Sequence, residues 1–450
     1  MKFQAIKGVR DILPPESALW NRVEQAARAV FESFGFGEIR LPIFEQTELF
    51  ARSIGAETDV VSKEMFTFRA RVNPAGTEDD IETESWEREG VAFTDRLELL
   101  TLRPEATASV CRAYIEHGMQ MLPGDVKLYY IGPMFRRERP QKGRYRQFYQ
   151  IGAEVLGASD NPRIDADVLE MLMMFLERLQ LSGAKLYLNS IGCKNCRPVY
   201  VEKLREALRK VNDKLGADSQ RRIETNPLRV LDSKLPEEQE IIETLPRISE
   251  HLCAECRQHF ADLLAQLALR GIAYELNWRL VRGLDYYMRT TFEITAPGLG
   301  SQDAICGGGR YDGLVELLGG PPTKGIGFAI GTDRLILSLQ KAEASEAGSA
   351  FAKASADKLD VFLVWFGAAA YPAAAKLARR LRSEGLRVEL PADEMKFKKS
   401  LSLADRLGAR HAVIIGEDEL AAGAYSVKKL ADGTQQKLKE EELIAYLRRG

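Results

Sequence analysis

A basic segment in the first third of the chain, FRRERPQKGRYRQ at residues 135–147, has the composition of a phosphate-binding loop. Arginine can hold a phosphate through two parallel hydrogen bonds, and Gly143 lets the loop turn tightly beside Tyr145. The alternative is a solvated charged hairpin. Two apolar segments flank the loop, and in the second of them Gln150 and Glu154 fall on one face of a strand. This pattern indicates a polar ligand floor beside an arginine loop.

Two further segments carry side chains that suit a small-molecule pocket. LVRGLDYYMRTTFEI, residues 280–294, places four such residues just before a predicted strand: Arg282, Asp285, Tyr286 and Tyr287. Taken alone, this cluster is equally compatible with a turn and ordinary aromatic packing. TLRPEATAS, residues 101–109, places Glu105 at the beginning of a helix, where the helix dipole favours a carboxylate. Each segment by itself is weak evidence for a ligand-binding site. The occurrence of all four marked segments in this order along the chain is specific.

A glycine-rich passage, GIGFAIGTDRLIL at residues 325–337, precedes a helix whose predicted N-cap is Thr332 or Asp333. Arg334 then falls in the first helical turn. A cation at that end opposes the helix dipole, which favours anions. An anionic ligand would remove the conflict, whereas the alternative is an ordinary surface arginine.

Four of the six cysteines form two CxxC pairs, Cys193/Cys196 and Cys253/Cys256. In a reducing compartment such pairs indicate metal or redox chemistry before disulfides. We predict that both pairs join as one tetrahedral four-cysteine Zn²⁺ site, with His259 able to replace one ligand. The long separation of the pairs weakens this prediction, and the alternative is unlinked core thiols. Such a zinc would be structural and distant from the chemistry, because no ligand position is left open for water.

The bulk composition excludes several classes of protein. Hydrophobic residues make up 45% and charged residues 28%, as in ordinary globular chains. No apolar run approaches the roughly 20 residues that span a bilayer, and the N-terminus lacks the apolar stretch of a secretory signal. We therefore expect a cytoplasmic protein with no membrane contact. The net charge is −2, so nucleic acid would have to be bound through local basic patches.

The elements that must position these segments follow from hydrophobic periodicity. Apolar residues at helical spacing predict a helix over 16–34, and GFGEIRLPIFEQTELF predicts a strand interrupted by Pro42 and followed by a helix. Pro104 opens a helix through about 117, and two strands flank the basic loop. Asn161-Pro162 begins a helix whose methionines are interpreted as core packing. Residues 190–271 are predicted to be mostly helical and contain both CxxC pairs.

Composition also marks the boundaries between domains. Residues 70–90 are acidic and aperiodic, which predicts a mobile surface insertion. Residues 341–357 are rich in alanine and serine, as is typical of a linker. The β-α-β-α-β alternation after that linker indicates a separate α/β domain of about 90 residues.

Together these segments resemble the histidyl-tRNA synthetase family of class II aminoacyl-tRNA synthetases. GFGEIRLPIFEQTELF is similar to class II motif 1, YYIGPMFRRERPQKGRYRQFYQIGAEVLG to motif 2 and GIGFAIGTDRLIL to motif 3. LVRGLDYY and GGGRYDGL resemble the two histidine-specific signatures. The likeness covers nearly the whole chain. Its departures are Ala106, where many relatives have glycine, and a longer segment at 70–96.

The resemblance implies an α+β fold. Its catalytic core, residues 1–340, is built on the antiparallel sheet of class II synthetases, with the mostly helical insertion at 190–271. The linker at 341–357 would then join it to a C-terminal α/β anticodon-binding domain at 358–450. Motif 1 lies at the dimer interface in this class, so the resemblance also implies a homodimer.

The implied activity is ATP-dependent ligation of L-histidine to the 3′ end of tRNA(His) in protein biosynthesis, with Mg²⁺ bound together with ATP. By family analogy, the residues that bind histidine are Glu105, Ala106, Thr107, Gln150, Glu154, Arg282, Tyr286 and Tyr287. Within that set, Glu105, Thr107 and Gln150 would hold the α-amino group. Glu154 and Tyr287 would meet the two imidazole nitrogens, and Tyr286 would shape the pocket.

The resemblance also assigns the phosphate and tRNA contacts. Arg136 and Arg334 would bind ATP at the α- and γ-phosphates, and Arg282 would lie near both the substrate carboxylate and the α-phosphate. Arg136 and Arg282 are thus the predicted catalytic residues, acting by positioning and charge neutralisation. The loop 137–146 would grip the tRNA acceptor end through Gln141, Arg144 and Arg146.

Two other functions stay open at this point. One is the regulatory paralogue of histidine biosynthesis, a binding subunit whose relatives usually lack the C-terminal domain and the intact motif 2 arginines. The other is a class II synthetase for a different amino acid. The C-terminal domain and the motif 2 arginines are both present in this chain, which argues against the regulatory paralogue. The two histidine signatures argue against a synthetase for another amino acid.

Overall fold

Two compact units make up the chain, Met1–Gly348 and Ser349–Gly450. The structure is a computed structural model, and it describes residues 3–55, 58, 60–72, 96–141, 143–300, 303–345, 359–367 and 369–449. Within these residues no helix combines the length and the apolar character that a membrane span requires.

The strands and helices of the first unit are numbered in chain order. Its strands are β1 (Gly37–Glu38), β2 (Phe44–Gln46), β3 (Phe66–Val72), β4 (Arg96–Leu102), β5 (Val126–Phe135), β6 (Gln147–Gly157), β7 (Lys185–Ser190), β8 (Glu275–Leu276), β9 (Met288–Thr295), β10 (Ala304–Arg310) and β11 (Lys324–Gly331). Its helices are α1 (Glu16–Ser33), α2 (Thr47–Ile54), α3 (Thr107–Glu116), α4 (Pro162–Arg178), α5 (Cys196–Arg209), α6 (Ala217–Thr225), α7 (Pro236–Glu243), α8 (Ala254–Leu269), α9 (Leu314–Leu317) and α10 (Thr332–Ser345).

An eight-stranded sheet, in the order β1-β5-β6-β11-β10-β9-β7-β8, forms the centre of this unit. Its inner neighbours are antiparallel, and only the short edge strands β1 and β8 pair in parallel. β5 and β6 pair from Phe135 opposite Gln147, which confirms the predicted pair of strands around the basic loop. The prediction of an α+β fold with an antiparallel sheet is confirmed.

Helices α1, α4 and α8 bury one face of the sheet in a shared apolar core. The predicted first helix is confirmed, because Trp20, Val23 and Phe31 of α1 are all buried. Asn161 caps α4 by accepting a hydrogen bond from the Arg163 N–H. The interpretation of the α4 methionines as core packing is confirmed for Met171, which is fully buried, and Met173 packs partly buried against the same core. It is wrong for Met174, which is 43% exposed.

The segment between β7 and β8 is mostly helical, as predicted, and contains α5, α6, α7 and α8. Its own apolar core includes Tyr200, Leu204, Ile223 and Ile242. A separate antiparallel sheet, β2-β4-β3, lies outside the large sheet.

Several sequence predictions are changed in detail. Residues 70–72 of the predicted insertion belong to β3, and its remainder lies outside the described residues. Residues 341–345 of the predicted linker belong to α10, while 346–357 also lie outside the described part. Neither Thr332 nor Asp333 caps α10, because the helix begins at Thr332 and the Asp333 carboxylate instead accepts from the Tyr149 N–H at 3.0 Å.

The second unit confirms the predicted β-α-β-α-β order with β12 (Val361–Trp365), α11 (Ala370–Ser383), β13 (Val388–Glu389), α12 (Phe397–Arg406) and β14 (His411–Ile415). It continues with α13 (Glu417–Ala422), β15 (Tyr425–Lys429), β16 (Gln435–Leu438) and α14 (Glu440–Arg449). The sheet order is β13-β12-β14-β15-β16, parallel over its first three strands. β12 and β14 are buried on both faces, which explains their continuous apolar sequences.

Candidate active site

One pocket on the large sheet gathers side chains from all four segments that the sequence marked. β5, β6 and the loop between them form one side of it, and β10 and the beginning of α10 form the other. Its lining includes nine of the predicted site residues: Glu105, Thr107, Arg136, Arg144, Gln150, Arg282, Tyr286, Tyr287 and Arg334.

Glu105 lies just before α3 and holds the first turn of that helix. Its two carboxylate oxygens accept the N–H groups of Thr107 at 2.7 Å and Ala108 at 2.9 Å. Burial raises the pKa of Glu105, although these N–H donors and the charge of Arg136 oppose the shift. Each carboxylate oxygen has a second lone pair, so Glu105 can still accept a hydrogen bond from a ligand cation in the pocket.

Glu154 of β6 forms the floor behind the pocket and is 1% exposed. One carboxylate oxygen accepts from the Thr107 hydroxyl at 2.7 Å, and the other accepts from the Tyr311 hydroxyl at 2.6 Å. Burial raises its pKa to about 8. A Cβ at Gly327, the residue paired with Glu154 on β11, would lie 1.6 Å from the carboxylate, so only glycine leaves room for it.

Two adjacent tyrosines cover this acid. The ring centroids of Tyr286 and Tyr287 are 4.6 Å apart, and Tyr286 also meets Tyr311 edge-on at 5.8 Å. Burial raises the pKa of Tyr287 to about 12, so its hydroxyl stays protonated and can donate at neutral pH. The arrangement offers one hydroxyl and one carboxyl group to a ligand with two ring nitrogens.

Several polar atoms at the pocket are buried without a hydrogen-bond partner among the described residues. They include the Tyr130 hydroxyl, Gln150 Oε1 and Arg282 Nε. Buried polar groups are nearly always paired in folded proteins, so an unpaired set around one pocket indicates a polar ligand.

Three arginines form the basic end of the pocket: Arg136 and Arg144 from the loop between β5 and β6, and Arg334 from α10. Arg136 donates to the Pro104 carbonyl at 2.9 Å and lies over the Phe148 ring, while Arg334 donates to the Ala304 carbonyl at 2.9 Å. Burial lowers the pKa of Arg334, and the nearby charge of Arg144 lowers it further. Like charges held this close favour a polyanionic ligand such as a polyphosphate.

Arg282 lies between the acidic and basic ends of the pocket. It pairs with Glu293 at 3.1 Å, and its guanidinium carbon is 5.8 Å from the centroid of the Tyr287 ring. A Cβ at Gly307 of β10 would lie 1.9 Å from Arg282 Nη2. The glycine in this strand is therefore what allows the guanidinium to lie flat against the sheet.

The remaining predicted site residues lie elsewhere. Ala106 is fully buried in the apolar cluster beneath α3. Gln141 is exposed at the tip of the basic loop, where its backbone pairs with that of Arg144. Arg146 packs against Gly8 and donates to the Lys7 carbonyl at 3.3 Å, so it holds the N-terminal segment.

Sequence reasoning missed three residues of the pocket region. Tyr311 donates to Glu154, Tyr130 directs its hydroxyl into the pocket lining, and Glu293 pairs with Arg282. A signal existed for Tyr311, since it belongs to the GGGRYDGL signature. Nothing in the local pattern distinguishes Tyr130 from its core neighbour Tyr129.

The four paired cysteines come together outside this pocket, with all four sulfur atoms within 4.8 Å of one another. The cluster has the side chains that a metal ion requires. His259 is not part of it, because its ring bonds the Asp160 carbonyl at 3.0 Å.

Comparison with known proteins places both units. The family model for histidyl-tRNA synthetase matches residues 88–335, and the anticodon-binding domain model matches residues 360–450. A histidine–tRNA ligase from Koribacter versatilis (strain Ellin345) is 52% identical over 99% of this chain and 96% of its own length. The corresponding protein of Solibacter usitatus (strain Ellin6076) is 50% identical over 99% of each chain.

Among solved structures, apo histidyl-tRNA synthetase from S. aureus superposes with a TM-score of 0.75 at 35% identity, covering 99% of this chain and 100% of its own. The matched family model spans more than half of the 450 residues, and the relatives match along nearly their full length. The chain therefore belongs to the histidyl-tRNA synthetase family.

Proposed function

We propose that this protein is a histidine–tRNA ligase, which activates L-histidine with ATP and transfers it to the 3′ end of tRNA(His). The observation that carries the proposal is a single pocket with a buried acid and tyrosines at one end and clustered arginines at the other, with Arg282 between them. That order matches histidine and ATP bound side by side, with the imidazole, the carboxylate and the triphosphate in line.

Histidine would occupy the acidic end. Glu154 and Tyr287 would bond the two imidazole nitrogens, while Glu105, Thr107 and Gln150 would bind the α-amino group. Because Glu154 is buried, an amino acid whose side chain placed no hydrogen-bond donor beside it would be strongly disfavoured. This is a physical basis for selecting histidine over isosteric side chains.

ATP would bind at the basic end, with Arg136 at the α-phosphate and Arg334 at the γ-phosphate. The histidine carboxylate is already ionised, so it attacks the α-phosphorus without a general base. A carboxylate–phosphorus bond forms, the bond to the β-phosphate oxygen breaks, and pyrophosphate leaves. Arg136 and Arg282 would neutralise the charge that develops at the α-phosphate.

Mg²⁺ fits the same end of the pocket. Magnesium is usually held by one or two carboxylates together with substrate phosphates, and Glu293 and Glu138 both line this region. When bound, the ion would shield the phosphate charge and orient the pyrophosphate leaving group.

In the second half-reaction the 3′-hydroxyl of the terminal adenosine attacks the histidyl carbonyl carbon, and AMP leaves. The basic loop 137–146 would contact the acceptor end, and the unit 358–450 would read the anticodon. The enzyme would work in the cytoplasm as a homodimer. Support for the dimer comes from Ile43 and Phe44 around β2 and Leu99 on β4, apolar residues that are 46–51% exposed.

The first prediction concerns the substrate. ATP–pyrophosphate exchange, measured with each of the twenty amino acids separately, should be rapid only with L-histidine. Glu154 and Tyr287 give the reason, since no other side chain carries the two ring nitrogens that would bond both. Comparable exchange with proline or threonine would contradict the proposed function.

The second prediction separates amino-acid activation from transfer to tRNA. A chain ending at residue 348 keeps the apolar cores of the first unit, so it should still form adenylate while charging tRNA much more slowly. Arg144→Ala and Arg146→Ala should also reduce charging more than activation. Both reactions are measured side by side, by pyrophosphate exchange and by aminoacylation.

The truncated chain is the cleaner of these tests. Arg144 lines the pocket and pairs with Glu138 at 2.9 Å, and Arg146 holds the N-terminal segment, so either substitution can disturb activation indirectly. Equal loss of both activities in the truncated chain would argue against a tRNA-binding role for 358–450.

A further inference from the structure

The two CxxC pairs form a four-sulfur cluster at the junction of β7, α5 and α8. The sulfur–sulfur distances are 3.8 Å for Cys193–Cys196, 3.9 Å for Cys193–Cys253 and 3.9 Å for Cys196–Cys256. A disulfide would require about 2.05 Å. Four thiolates about 2.3 Å from a tetrahedral zinc ion have sulfur–sulfur separations of about 3.8 Å. The observed distances therefore fit metal coordination.

The backbone around the first pair is shaped for thiolate ligands. The Cys193 N–H donates to Cys196 Sγ at 3.2 Å, and the Asn195 N–H donates to Cys193 Sγ at 3.4 Å. Gly192 has φ of +70°, and a Cβ there would lie 2.8 Å from Cys196 Sγ. This glycine lets the chain turn closely around the sulfur.

Two helix N-termini also point at the cluster. Cys196 is the first residue of α5, Cys253 is the N-cap of α8, and Cys256 lies in the first turn of α8. The partial positive charge at a helix N-terminus stabilises a thiolate. Three of the four cysteines are buried, so thiolates there require a cation to balance their charge.

We propose that Cys193, Cys196, Cys253 and Cys256 bind one structural Zn²⁺ ion that also supports the histidine-binding loop. On binding, the cysteine thiols lose their protons and four Zn–S bonds form, which leaves no position for water or substrate. The ion joins the beginning of α5 to the beginning of α8. It thereby closes the length of chain that contains α6 and α7.

The cluster lies closer to the candidate active site than the sequence prediction of a distant zinc site implied. Arg197, next to Cys196, donates to the backbone carbonyl of Tyr287. Arg289 bonds the two residues that precede Cys193. Its N–H donates to the Gly192 carbonyl at 2.7 Å, and its carbonyl accepts from the Ile191 N–H at 2.8 Å. Tyr287 packs in the same apolar cluster as three of the cysteines. Loss of the metal would therefore release the loop that contains Tyr287. This supporting role of the zinc ion rests on the proposed function, in which Tyr287 binds histidine.

The third prediction tests the metal itself. Protein purified without chelators or a metal-affinity tag should contain about one zinc per chain by mass spectrometry of metals. The double variant Cys253→Ser/Cys256→Ser should contain almost none and should melt at a temperature lower by about 5 °C or more. Cys111→Ala, which removes a buried thiol outside the cluster, should keep its zinc.

If the double variant fails to fold, two other measurements test whether the four cysteines bind zinc. Titration of the intact protein with a mercurial reagent should release zinc in step with thiol modification. Cys253→His, which preserves four ligands, should retain the metal. Either of two results would overturn the zinc site. One is zinc-free protein with readily titrated cluster thiols and an unchanged melting temperature, and the other is stoichiometric iron in the metal analysis.

The supporting role has its own measurement. In the zinc-free double variant, KM for histidine should rise about 10-fold or more, while KM for ATP changes little. An unchanged KM for histidine in a zinc-depleted protein would refute the link to the loop and leave the metal site standing. Absence of histidine-dependent exchange in the intact protein would instead count against the proposed function, and the zinc content would be unaffected.

Discussion

Arg282→Ala should slow histidyl-adenylate formation by about 10²–10³-fold, because one preorganised donor to the developing charge is typically worth that much. The Arg282 side chain lies between the acidic and basic ends of the pocket and is fixed by Glu293 at 3.1 Å. Single-turnover formation of adenylate measures the chemical step directly. Near-normal rates in a folded variant would refute the catalytic role.

Two further variants separate the role of Arg282 from general disturbance. Arg279→Ala removes a nearby arginine that bonds Gln239 at 2.6 Å outside the pocket, and it should leave adenylate formation close to the normal rate. Gly307→Ala keeps the arginine but places a methyl group 1.9 Å from Nη2, so it should slow the reaction by displacing the guanidinium. A fast Gly307→Ala enzyme would show that the position of Arg282 against β10 is unimportant.

Long periodic elements of the fold could be predicted from the sequence, whereas the glycine-rich strands could not. The apolar spacing in α1 and the paired apolar segments of β5 and β6 are strong local signals. β10 and β11 contain CGGGR and GIGFAIG. Glycine is depleted in strands, so the local sequence alone does not predict a strand at either segment. These strands need glycine because Arg282 and Glu154 lie across them, a contact that no local pattern reveals.

The same limit applies to the candidate site. The motifs assigned Glu154 and Arg282 through family resemblance, yet the partners that set their chemistry are distant in sequence. Tyr311, which donates to Glu154, is 157 residues away from it. The cysteine pairs are a further example, since their spacing alone left two interpretations open and the folded chain brings all four sulfur atoms together.

Glu154→Gln should reduce kcat/KM for histidine by about 10²–10⁴-fold, since the amide cannot ionise and therefore cannot place a negative charge beside the bound imidazole. The same substitution should stabilise the ligand-free protein at alkaline pH. Burial raises the pKa of Glu154 from an ordinary value near 4.5 to about 8, so the folded state holds a proton that the unfolded state has already released. The stability from this proton is fully present below pH 4.5 and is lost as the pH rises through about 8.

Melting temperatures of the two ligand-free proteins, measured between pH 5 and pH 9, test this sign. The advantage of Glu154→Gln over the wild type should grow with pH up to about 8 and then level off, because the wild type must then bury a full negative charge. Glu177→Gln, on the exposed face of α4, should follow the wild-type curve at every pH. A Glu154→Gln protein that binds histidine normally, or whose advantage shrinks as the pH rises, would show that Glu154 is not the buried acid that selects the substrate. The opposite result would show that selectivity for histidine is obtained at the expense of stability, because the acid that recognises the imidazole destabilises the protein until its ligand arrives.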